Sequence, residues 1–212
     1  MSQNPKVRLR FAKLGDLRMV SHHDLMRCLE RTLRRAEIPV ATSQGFNPRP
    51  RLVFAQALAL GIEGHREVLE LELAAPMEPS EVLRRLAAHA PPGLEFAEAE
   101  AVAPGRPAQP GVAHYALPIP ADRRDAARAA VEAFLAGESR PYTRHRPDRT
   151  VAIDLRPHVL GAELDPDGVL RLRLKLSPGG SARPEEVIDA LGLRDLLARG
   201  AVLARTELEL VP

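Results

Sequence analysis

Within seven residues, Gly45 to Arg51, the chain gathers a glycine, a flat aromatic ring and two guanidinium forks. Gly45 permits backbone angles that other residues avoid, Pro48 and Pro50 stiffen the segment, and Phe46 offers an apolar face. Arg49 and Arg51 carry forked donors that match phosphate oxygens, and Asn47 adds a polar group able to orient a ligand. Stacking combined with phosphate contacts is how proteins hold single-stranded RNA. The same residues also have a purely structural use, with Phe46 in the core and the prolines shaping a turn.

A second group lies upstream. His22, His23 and Asp24 follow Ser21 at the start of a helical pattern, where the helix dipole lowers a histidine's pKa and favours an anion. Acid–base ribonuclease chemistry uses such a group, and His22 is the candidate within it. Asp24, however, has the position of a capping-box acid, and neighbours on a helix point apart by about 100°. A structural or orienting histidine is the competing reading. The pair lacks the i,i+4 spacing of helical zinc sites, so no metal site is expected. Further along the same helix, Arg27, Arg31 and Arg34 form a stripe able to follow a phosphate backbone, with Arg8, Arg10 and Lys13 nearby in sequence. Solvent-facing arginines paired with acids such as Glu30 are the ordinary alternative.

Other short patterns carry less. Ser177-Pro178-Gly179-Gly180-Ser181 is glycine-rich but lacks the lysine and spacing of a P-loop. Asp165-Pro166-Asp167-Gly168 lacks the terminal glutamate of a calcium loop and reads as a hairpin turn. His145, between Arg144 and Arg146, sits in a polar connection to which no role is assigned.

The elements that must position these groups follow from periodicity. Val7, Leu9 and Phe11 alternate with Arg8, Arg10 and Ala12, a strand of period two. After a turn at Leu14-Gly15-Asp16, Leu17–Val20 reads as a short return. Ser21 and Asp24 open a helix to about Glu37 with Leu25, Leu29, Leu33 and Ala36 as its apolar stripe. Arg51–Leu60 and Glu67–Leu73 read as strands, the stretch after Pro79-Ser80 as a helix stopped by Pro91-Pro92-Gly93, and Leu94–Val102 as a strand. The pattern restarts after a Pro- and Gly-rich stretch. His114–Ile119 is strand-like and Ala121–Leu135 helical; Arg149–Leu155 and Val169–Leu176 are strands around the Asp165–Gly168 turn. Pro184–Leu191 and Arg194–Leu197 are helical, and Ala201–Leu210 is the last strand. The expected class is α+β, with two tandem ferredoxin-like βαββαβ units. Residues 1–103 would form the first, 104–112 the linker and 113–212 the second.

A chain of 212 residues accommodates one large domain or two small ones. Its 45% hydrophobic and 27% charged residues are ordinary for a globular protein, but with 3% aromatics and no Trp the core must rest on Leu, Val, Ile and Ala. No apolar run approaches the ~20 residues that span a bilayer, and the polar Met1–Arg10 stretch is unlike a secretory signal. The single cysteine, Cys28, forms no internal disulfide, so a reducing cytoplasm is expected. Residues 1–51 carry eleven basic and four acidic residues, +7, and residues 52–106 carry nine Glu and four Arg, −5. That asymmetry suggests a sided molecule; the acidic block is read as solvated faces.

Three stretches carry a resemblance: Arg10-Phe11-Ala12-Lys13-Leu14-Gly15, then Ser21-His22-His23-Asp24-Leu25-Met26-Arg27, then Ser43-Gln44-Gly45-Phe46-Asn47-Pro48-Arg49-Pro50. In that order and spacing the chain resembles the radical SAM-linked protein family, most specifically over residues 6–75. Gly180-Ser181-Ala182-Arg183-Pro184-Glu185-Glu186 also fits. The resemblance implies a partner, a cobalamin-binding radical SAM protein, encoded beside or fused to such a chain. Two departures stand out: an apolar residue is usual where His23 stands, and His and Lys are frequent where Arg49 and Arg51 stand. The three clustered cysteines of a radical SAM enzyme are lacking, as fits a partner rather than the catalyst.

The expectation that combines these readings is an accessory RNA-binding protein, with tRNA as one candidate ligand. Lys13, Arg27, Arg31, Arg49 and Arg51 would contact phosphates, Phe46 would stack, and His22 and Asn47 would orient. No resident cofactor is expected. The alternatives are a metal-independent endoribonuclease resembling CRISPR repeat-processing enzymes, and a protein-only docking subunit of the radical SAM partner.

Overall fold

The alternation of Val7, Leu9 and Phe11 with Arg8 and Arg10 makes β1 (Lys6–Lys13) in the computed structural model, which describes residues 4–145, 148–177 and 180–211. A 3-10 turn at Gly15–Met19 follows, where a short return was expected. Then come α1 (His22–Arg35), β2 (Leu52–Phe54), β3 (Glu63–Glu72), α2 (Pro79–His89) and β4 (Leu94–Val102). The strands lie in the order β4-β1-β3-β2, each antiparallel to its neighbour. Leu25, Leu29 and Leu33 of α1 and Val82 and Leu86 of α2 join Val7, Leu9, Phe11, Leu69 and Leu71 of the sheet in one core. At the head of α1, the Asp24 amide donates to Ser21 Oγ at 3.2 Å, as the capping pattern predicts. The helix ends before Glu37, which takes a left-handed φ of 53° and lets the Ile38 amide reach the Leu33 carbonyl.

This first unit comprises the chain up to Pro110 and the residues from Leu210 on; the second comprises Gly111–Glu209. The second holds β5 (Pro110–Pro118), α3 (Arg124–Ala136), β6 (Pro141–His145), β7 (Thr150–Asp154), β8 (Val159–Leu164), β9 (Val169–Lys175), α4 (Pro184–Ala190), α5 (Arg194–Ala198) and β10 (Ala204–Leu210). Its sheet runs β10-β5-β9-β8, and β6 and β7 form a hairpin of their own. The chain is thus of the α+β class.

Several element boundaries need correction. The strand that meets β9 around the Asp165–Gly168 turn is β8, not the 149–155 stretch, which pairs with β6. That hairpin is anchored by polar groups rather than by an apolar face: Tyr142 donates to Asp189 at 2.8 Å, and Arg144 forms a largely buried fork with Glu186 on α4. Apolar periodicity therefore gives no sign of it. The 51–60 stretch is extended only over β2.

The charge asymmetry along the chain largely cancels in space. Lys6 and Arg8 on β1 meet Glu70 on β3, Arg8 also meets Glu100 on β4, and Arg51 meets Glu72. Basic and acidic blocks of sequence become cross-strand partners on the sheet face opposite the helices. On α1, Arg31 and Arg34 have no acidic partner among the described residues.

Candidate nucleic-acid interface

The segment after α1 is drawn into a closed loop. The Ser43 amide donates to the Arg49 carbonyl at 2.8 Å, the Arg49 amide donates to Ser43 Oγ at 3.1 Å, and Thr42 bridges to Pro50. Below this closure the Ala41 amide donates to the Glu72 carbonyl and the Arg51 amide to the Ala41 carbonyl, pinning the loop to the end of β3. Gly45 adopts a φ of +135°, a conformation that a Cβ would strain. Phe46 follows at 107% relative exposure, so the structural alternative, in which it packs in the core, is overturned. Asn47 is exposed beside it and its amide has no partner among the described residues.

Arg49 reaches back toward the helix. Its Nη1 lies 3.8 Å from Glu30 Oε1, which joins the loop to α1. On that helix Arg27, Arg31 and Arg34 are exposed at i, i+4 and i+7, while Leu25, Leu29 and Leu33 face the core. Arg27 pairs loosely with Asp24 at 3.4 Å; Arg31 and Arg34 have no partner among the described residues. Phe46, Asn47 and Arg49 on the loop, and Arg27 and Arg31 on α1, are thus exposed groups of adjoining elements.

Two predicted contacts are separated from this surface. Arg51 precedes the buried Leu52, so strand alternation turns it to the other face of the sheet, where it donates to Glu72 at 2.9 Å. Lys13 is 1% exposed and is corrected from a phosphate contact to a buried tie. Its Nζ donates to the Val20 carbonyl at 2.8 Å and the Arg18 carbonyl at 3.3 Å, just ahead of the Ser21 cap. Burial pushes its pKa down, and the nearby Glu67 carboxylate pulls it part of the way back. The signal was present: carrying the 7, 9, 11 alternation one step further puts residue 13 on the core side.

His22 stands exposed at the first turn of α1, with its ring edge-on to Phe54 at 4.9 Å between centroids. Asp24 is engaged elsewhere: the Ser21 hydroxyl donates to it at 2.7 Å, and Arg27 and His23 add positive charge, holding its carboxyl below the usual range. Among the described residues His22 has no hydrogen bond to Asp24, and no group of His, Cys, Asp and Glu is arranged to hold a metal ion. Arg146, Pro178 and Gly179 of the shorter sequence patterns lie outside the described residues. Sequence reasoning also passed over Arg173; alternation in Val169–Lys175, which sets Arg171, Arg173 and Lys175 on one face, is the signal that points to it.

Residues 6–184, from β1 to the first residue of α4, match the family described as an uncharacterized protein conserved in bacteria (DUF2344). The chain belongs to this family. The DUF2344 match takes in the closed loop, α1 and most of the second unit. No curated protein matches the chain. Among solved structures it is similar to one titled as an unknown protein from Galdieria sulphuraria, with 14% identity over 99% of this chain and 100% of that one, at a TM-score of 0.31. No helix among the described residues is long and apolar enough to cross a membrane.

Proposed function

We propose that this chain is an RNA-binding accessory protein whose contact surface is α1 together with the Ser43–Pro50 loop. The observation that carries the reading is Phe46, fully exposed on a hydrogen-bonded loop whose Arg49 reaches the helix bearing Arg27, Arg31 and Arg34. A stiffened loop presents the ring without the entropy loss of ordering a free one, and an aromatic face stacks on any base. The exposed guanidinium groups supply the phosphate contacts. Within this proposal the two units are tandem ferredoxin-like modules; the antiparallel orders β4-β1-β3-β2 and β10-β5-β9-β8 support that reading. The cobalamin-binding radical SAM partner rests on the resemblance of the three motifs alone. Its test is co-purification that survives ribonuclease treatment.

Binding of a short single-stranded RNA, followed by fluorescence anisotropy at low salt, tests the surface. Arg31→Ala and Arg49→Ala should each weaken it, and Arg51→Ala, on the other face, should not. Equal losses at 49 and 51, or none anywhere, would remove the loop and helix from the reading. The endoribonuclease alternative has a separate test: metal-free cleavage of structured RNA that is lost in His22→Ala.

A further inference from the structure

Across the sheet of the second unit three residues stand in one row: Gly161 on β8 pairs with Arg173 on β9, which pairs with His114 on β5. They line a cavity of about 460 Å³ that is also bordered by Arg171, Glu163 and Arg156. That volume falls within the ~300–1,000 Å³ of pockets that take small organic ligands. It is far more than a bare phosphate ion fills.

The groups on its walls differ in availability. Arg171 donates to Asp165 at 2.9 Å, Arg156 donates to the Gly137 and Val159 carbonyls at 3.2 and 3.0 Å, and His114 lies 2.5 Å from Glu209. Arg173 is exposed and has no partner among the described residues. Facing it, Gly161 is a glycine that neither its backbone nor its packing demands. Its φ lies outside the left-handed region, and an added Cβ would meet nothing nearer than Arg173 Cδ at 3.8 Å. The pairing shifts register between Val159 and Gly161, yet the backbone at 161 is one that other residues adopt. Glycine weakens a strand interior and recurs where a ligand approaches the backbone closely.

We propose that this cavity binds a nucleoside 5′-phosphate, free or as a unit of an RNA strand, with its phosphate on Arg173. The guanidinium fork matches two phosphate oxygens, and Arg156, whose side-chain hydrogen bonds go to backbone carbonyls, adds positive potential. The bare backbone at Gly161, flanked by the aliphatic stem of Arg173, gives the flat base a surface to lie on, and the exposed Glu163 carboxylate accepts from an exocyclic amino group, favouring adenine, cytosine or guanine over uracil. The site lies wholly in the second unit and stands or falls independently of the α1 surface.

The full chain is titrated with the four ribonucleoside 5′-monophosphates and with the unphosphorylated nucleosides. Saturable binding of an amino-bearing monophosphate is expected, about tenfold weaker for its nucleoside and about tenfold weaker in Arg173→Ala. Gly161→Val keeps every charge and covers the bare backbone, so it should lose binding to a similar degree, while Arg128→Ala on α3 should retain it. Circular dichroism reports whether Gly161→Val folds; if it does not, the exposed Arg173→Ala decides. No saturable binding of any of the four, or binding untouched by both substitutions, overturns the proposal. Displacement of the bound nucleotide by a 5′-phosphorylated RNA oligonucleotide supports an RNA strand as the source, and resistance to displacement supports a free nucleotide.

Discussion

Arg49 and Glu30 stand 3.8 Å apart, so the only acid on the outer flank of α1 between Asp24 and Glu37 neutralises the loop that α1 supports. An ion pair this long, with its arginine largely in solvent, contributes about 0–1 kcal/mol to stability. Its larger effect is on charge, because it holds back one of the cations offered to an anion. Glu30→Gln should therefore strengthen RNA binding at low salt by about twofold or more, and the gain should shrink as salt rises. The unfolding midpoint should hardly move. Anisotropy titrations at two salt concentrations check this, and weaker binding by Glu30→Gln would contradict the proposed surface.

Phe46 and the helix arginines should fail in different ways. Phe46 buries nothing, so Phe46→Ala should leave thermal stability unchanged and cost about 1–3 kcal/mol of RNA binding through lost stacking. The salt slope should stay as it was. Arg31→Ala and Arg34→Ala remove phosphate contacts instead, so each should lower the slope of log K against log salt by about one. A change of slope in Phe46→Ala, or none in the arginine variants, would assign the roles wrongly.

Lys13 should behave as a structural residue. Lys13→Met removes the buried donor to the Arg18 and Val20 carbonyls just ahead of α1. Leaving buried carbonyls without their donor costs about 1–3 kcal/mol. Denaturant unfolding should register that loss. RNA binding by the fraction that remains folded should match the wild type, which separates a tie from a contact.

Much of this was legible in order and type, less in direction. The Ser21–Asp24 cap and the Leu25–Leu29–Leu33 stripe were readable because local hydrogen bonding and a 3.6-residue period determine them. The strand face bearing Arg8 and Arg10 was readable for the same local reason, but not that Glu70 and Glu100 would meet it, since cross-strand pairing joins residues 62 and 92 positions apart. Phe46 was ambiguous because a loop has no period to say which way a side chain turns. The hairpin of β6 and β7 was missed because Arg144–Glu186 and Tyr142–Asp189, polar pairs, hold it in place.

The buried cluster on β1 and β3 gives the chain a defined acid sensitivity. Glu70 is 2% exposed; burial pushes its carboxyl up, but hydrogen bonds from Lys6, the Ala108 amide and Arg8 outweigh that and leave it below its ordinary value. A carboxyl depressed in the folded state binds protons more readily when unfolded, so its contribution is complete above the ordinary carboxylate value of 4.5. It is lost as pH falls from there through the depressed native value. Glu70→Gln cannot titrate, and it leaves the buried Lys6 without its carboxylate. The variant should be less stable than wild type at neutral pH by about 3–5 kcal/mol. That difference should narrow as the pH drops through the carboxylate range, because only the wild type then loses the pair. Unfolding free energies from urea titrations at pH 7, 5 and 3.5, where the wild type stays folded, measure the gap. A gap that stays constant across the series would show that Glu70 does not carry this dependence.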